Sequence, residues 1–148
     1  MSRLAIALTL WLGLLSPLAA ATLEVSEAWI REGPPGMGML AGFMTLRNPG
    51  SADRFLEGAD SPRFERVEMH ETRIDDRGVA SMRPVHRLRI PAGGTVRFAP
   101  GGLHLMLIGP EGEITAGETV PVRLHLDNGV CIQVPFEVRR TPPGQDPH

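Results

Sequence analysis

The sequence predicts an all-β domain, a sandwich or barrel of short strands. Three observations lead there. Short apolar runs recur along its 148 residues and are cut by 17 glycines and 14 prolines, the punctuation of turns rather than of helices. Several runs alternate apolar and polar residues with period two, as strands do when one face is buried. No stretch keeps a 3.6-residue apolar period beyond two turns, so no amphipathic helix is indicated.

The first segment reads as an address rather than as fold. Arg3 is followed by the apolar run Leu4 to Leu15, then by Ser16-Pro17 and the small residues Ala19, Ala20 and Ala21. That order describes a cleavable secretory signal over residues 1–21, with the cut after Ala21. The run falls short of the roughly 20 apolar residues a bilayer crossing needs. Export to the periplasm is expected, leaving one domain over residues 22–140 and a disordered Pro/Gly tail over residues 141–148.

Within that domain the strands follow in order. Leu23 to Ile30 is the first, and Arg31 to Gly38 is a loop. Met39 to Arg47 is the second, closed by Asn48-Pro49-Gly50. Asp53 to Gly58 is short. Phe64 to Thr72 puts Val67 and Met69 on one face, Glu68 and His70 on the other. Asp75 to Gly78 reads as a hairpin turn leading into Val79 to Arg83. His86 to Ile90 and Thr95 to Phe98 precede Pro100-Gly101-Gly102, which turns the chain into Leu103 to Ile108. Val120 to Leu126 and Val130 to Val138 flank Asp127-Asn128-Gly129, a further hairpin signal. Pro135 suggests an edge position or a bulge in the last strand.

Composition narrows the function. Lysine is absent. Without Arg3 the mature chain carries 14 arginines against 17 acids, a net charge of −3. With no basic run, nucleic acid is a poor partner. A lone cysteine, Cys131, cannot form an internal disulfide, and a small buried hydrophobe is its ordinary role. No nucleophile elbow or phosphate loop is present, so an enzyme is not indicated. A blue-copper site would need a Cys–His–Met loop, and the only histidine after Cys131 is His148.

The chemistry concentrates in four residues. His104 and Met106 are two apart in one strand, so they share a face while Leu103, Leu105 and Leu107 take the other. A hairpin closed at Asp75–Gly78 lets His70 and Met82 face each other. Two imidazoles and two thioethers form a soft, uncharged donor set. Thioethers select Cu(I), whereas zinc favours thiolate, imidazole or carboxylate, and calcium and magnesium favour oxygen. Met37 and Met39 are candidates for an auxiliary contact, though packing is their ordinary role, as it is for Met69. His86 and His125 read as surface residues.

The spacing His70-x11-Met82-x21-His104-x-Met106 resembles the pattern of the periplasmic PCuAC copper chaperone family. The resemblance extends to Ala28-Trp29 with Arg31 before Pro34-Pro35-Gly36, and to Glu65-Arg66-Val67-Glu68-Met69-His70. It continues through Met82-Arg83-Pro84-Val85, Ile90-Pro91-Ala92-Gly93-Gly94, Pro100 to Met106 and Gly117 to Val122. It implies a cupredoxin-like Greek-key β-sandwich or barrel that binds one Cu(I) through His70, Met82, His104 and Met106. It further implies delivery toward the copper-bearing subunit of cytochrome c oxidase, alone or beside a Sco-type thiol protein. Many members of that family carry a His- and Met-rich tail that binds extra copper; Thr141 to His148 holds only His148, so no second site is expected in that segment.

Overall fold

A computed structural model describes residues 22–145. Among these residues there are ten strands and no helix. They are β1 (Glu24–Arg31), β2 (Met39–Arg47), β3 (Arg54–Asp60), β4 (Phe64–Ile74), β5 (Ala80–Pro84), β6 (Leu88–Ile90), β7 (Thr95–Phe98), β8 (Leu103–Pro110), β9 (Thr119–Leu126) and β10 (Cys131–Arg139). Each predicted run is a strand, with ends displaced by a residue or two. The predicted signal segment and the last three residues lie outside the described residues. Thr141 to Gln145 includes a turn in which Gln145 N–H donates to the Pro142 carbonyl at 3.1 Å.

Seven strands close on themselves in the order β4-β8-β2-β1-β10-β9-β3, with Ala59 opposite Val67 returning β3 to β4. The result is a closed, cupredoxin-like barrel. β1 and β10 run parallel, and the other pairings are antiparallel. β5 extends the sheet beyond β4, and β6 extends it beyond β3. Closure removes most of the unpaired edge that an open sheet would expose.

The barrel is filled by the inward parity of each strand. Ile30, Leu46, Leu105, Val122, Leu124 and Phe136 are fully buried. Gly42 on β2 permits close packing, because a Cβ there would meet Leu107 Cδ1 at 3.1 Å. Outside the barrel, Trp29 and Phe43 are register partners whose rings lie 4.9 Å apart, and the Arg31 guanidinium sits over both.

β10 as a whole has neighbours on both sides, but Pro135 itself is paired only on the β9 side, a locally edge-like position. It faces Pro121 of β9. Two residues without N–H can pair only at a position where neither must donate to the other. Pairing of β10 with β1 begins two residues later, at Glu137, so the missing Pro135 N–H leaves no β1 acceptor unpaired.

Candidate metal centre

Three strands present one outer face: β8 in the middle of the barrel wall, β4 beside it, and β5 at the edge. The β4–β8 register puts His70 directly opposite His104, and Glu68 directly opposite Met106. The imidazole centroids are 6.0 Å apart and the rings are inclined by 45°. All four predicted residues share this face.

Met82 arrives one row away from its expected place. Asp75 and Val79 bracket the β4–β5 turn, where Asp75 N–H donates to the Val79 carbonyl at 3.0 Å and Gly78 takes φ +79°. This three-residue loop with a left-handed glycine pairs Ile74 with Ala80, and so Thr72 with Met82 and His70 with Pro84. Met82 is therefore diagonal to His70 rather than opposite it. Diagonal neighbours have Cβ atoms about 7–8 Å apart, still within reach of a long side chain. Met82 is exposed, at 58%. Met106 is half-buried.

Local turns orient the histidines. Ala99-Pro100-Gly101-Gly102 is a tight turn in which Gly102 N–H donates to the Ala99 carbonyl at 3.1 Å. Proline at its second position and a glycine with φ +83° at its third are the requirements of type II. The turn aims the Gly102 carbonyl at the ring two residues on, and His104 Nδ1–H donates to it at 3.1 Å. That bond assigns the proton to Nδ1 and leaves a lone pair on Nε2. On β4, His70 Nε2–H donates to the Glu68 carboxylate at 3.0 Å, leaving Nδ1 free. The His70 bond is the main reason the Glu68 carboxyl is held below its ordinary range; partial desolvation opposes it, and Arg66 assists.

The consequence is two buried ring nitrogens with nothing to bond. Among the described residues, His70 Nδ1 and His104 Nε2 are buried and lack any hydrogen-bond partner, as does Arg54 Nη2. A buried polar atom left unpaired costs about 1–3 kcal/mol. A soft cation between the rings would satisfy both lone pairs, with thioethers on either side. Glu68 and the Gly102 carbonyl then act as the outer partners that fix ring orientation. The sequence reading passed over both, although each lies two residues before its histidine and strand parity could have found it.

The remaining candidates separate cleanly. Met69 is 4% exposed and packs in the core. His86 is exposed. Met39 lies on the outer face of β2, and Met37 lies in the preceding loop. Cys131 is exposed rather than buried, on outward parity, with its sulfur 3.1 Å from His125 Nδ1. His125 also bonds Asp60 through Nε2. Among the described residues no three His, Cys, Asp or Glu side chains converge as a metal cage. An open cleft of about 1130 Å³ lies between residues 32–40 and 109–116, and none of the four residues lines it.

A family model described as LpqE-like matches residues 23–138. A protein of Leifsonia xyli subsp. xyli, "Putative lipoprotein Lxx21020", is 35% identical over 117 residues, covering 78% of this chain and 69% of its own. The solution structure of CuI-DR1885 from Deinococcus radiodurans is 30% identical, with a TM-score of 0.62, covering 83% of this chain and 80% of that one. The copper-bound PCuAC domain from PmoF2 has a TM-score of 0.69 at 19% identity, covering 83% of this chain and 97% of that one.

Proposed function

The chain belongs to the LpqE-like family, and from that premise we propose that it is a copper(I) carrier holding one ion through His70, Met82, His104 and Met106. The observation that carries this reading is the pair of buried, unpartnered nitrogens on a face that also bears two thioethers. Copper-bound structures among its relatives support the choice of metal.

The donor set favours the monovalent state, because thioethers are soft and bring no charge to stabilise a harder ion. The nitrogens hold the ion from the barrel wall. Met82 on the edge strand is exposed, so one bond can be exchanged while the others remain. A carrier needs such a bond, since transfer proceeds by ligand exchange with an acceptor of higher affinity. We further propose that the chain is exported and works in the periplasm, delivering copper toward cytochrome c oxidase assembly, with a Sco-type protein as a candidate companion. Lipoprotein relatives and the leader-like segment at residues 1–21 support export.

Anaerobic Cu(I) titration against a chromogenic chelator tests the site. One tight equivalent is expected, strongly weakened in Met106→Leu and His104→Ala. Full affinity in both variants would refute the assignment. Oxidase activity of a deletion strain at low copper tests delivery, and heightened copper sensitivity with normal oxidase would point instead to storage.

A further inference from the structure

One methionine on the site's face has no role in the four-residue set. Met39 opens β2, and the β2–β8 register pairs it with Ile108 while Ala41 pairs with Met106. Paired residues share a face and alternate residues return to it, so Met39, Ala41, Met106 and Ile108 share the outer face. Met39 is therefore the diagonal neighbour of Met106, on the side away from His70. It is 50% exposed, while Leu40 beside it supplies the core contact at that point of β2. Packing gives no reason for a long apolar side chain to stand outward there.

We propose that Met39 is an accessory thioether that receives Cu(I) from Met106, or hands it to Met106, as the ion leaves or enters; this rests on the copper reading above. Diagonal Cβ atoms are separated by about 7–8 Å. Two methionines, each with three rotatable bonds, can bring their sulfurs to a common ion across that gap. Ala41, directly opposite Met106, has only a methyl group to put in the way.

The step needs no proton and no redox partner. The bond from Cu(I) to the Met106 sulfur breaks as the bond to the Met39 sulfur forms. Both ligands are neutral and the ion stays monovalent; Met39 lies beyond Met106 from the histidines, so the bonds to His70 and His104 have already broken, leaving those nitrogens with free lone pairs. Exposed thioethers then flank the histidines on both sides, Met82 on β5 and Met39 on β2. Met37 provides an internal control. It is almost as exposed as Met39, at 47%, but lies in the loop before β2 rather than on the strand face, with its sulfur 3.0 Å from where a Cβ on Gly33 would stand.

Methyl-13C-methionine NMR reads every sulfur separately, with signals assigned by Met→Leu variants. Under anaerobic titration with Cu(I), and with Ag(I) as a closed-shell mimic, the methyls of Met82, Met106 and Met39 are expected to shift. Those of Met37, Met44 and Met69 should stay. Met39→Leu keeps size and apolarity, so the fold should hold while bicinchoninate strips Cu(I) several-fold more slowly. A Met39 methyl that does not move, or an unchanged stripping rate in Met39→Leu, overturns the assignment. Silence of Met82 and Met106 as well would bring down the copper reading itself.

Discussion

Replacing His104 by leucine should make the copper-free protein more stable and abolish its stabilisation by copper. His104 is 6% exposed, and its Nε2 has no partner. Removing that orphan relieves about 1–3 kcal/mol. The substitution also forfeits the Nδ1–H bond to the Gly102 carbonyl, worth about 0.5–1.5 kcal/mol. That carbonyl still accepts from Thr72 N–H at 3.1 Å, so it is not orphaned in turn. The balance is a gain of about 1 kcal/mol, or roughly 4 °C in Tm for a domain of this size. In the unsubstituted protein, copper at about a thousand times Kd adds ~4 kcal/mol, roughly 15 °C. Anaerobic thermal melts of both proteins, with and without one equivalent of Cu(I), measure all four states. A His104→Leu protein less stable without copper than its parent, with copper raising both alike, would show that the ring is a packing element and that the lone-pair argument is wrong.

Glu68→Leu should lower Cu(I) affinity about 10–100-fold, the usual cost of losing a residue that orients a metal-binding histidine; Glu68→Gln, which keeps an acceptor oxygen, should lose less, as the same chelator competition would read. Gly101→Ala forces φ +83° on a side chain at about 1–2 kcal/mol, so Tm and copper affinity should fall together, because the turn sets the start of β8; loss of Tm alone would separate turn from site. Acid should destabilise the fold. Glu32 is held below its ordinary 4.5 chiefly by Ala116 N–H and then by Arg140, and Glu118 chiefly by the Thr115 N–H and hydroxyl; partial desolvation opposes both. A depressed folded-state pKa gives stability that is present above the ordinary value and lost as pH falls through it, so Tm should drop between about pH 5 and pH 3, less steeply in Glu118→Gln. A Tm flat over that range contradicts this.

The local levels of structure were legible in the order of residues. Period-two alternation marked the strands, and Gly, Pro and Asn marked their ends, because strand parity and turn dihedrals are set by neighbours a few residues apart. The same parity placed Met69 in the core and His70, His104 and Met106 together on the outside. What only the tertiary structure decided was register between strands far apart in the chain: His70 against His104, β3 returning to β4, and β1 lying parallel to β10. Packing inside the closed barrel sets those alignments, and no local pattern encodes them. Met82 fell one row from His70 because the left-handed Gly78 shifted the hairpin. The orphaned lone pairs on this face exist only because Glu68 and the Gly102 carbonyl take the other nitrogen of each ring once the strands are in place.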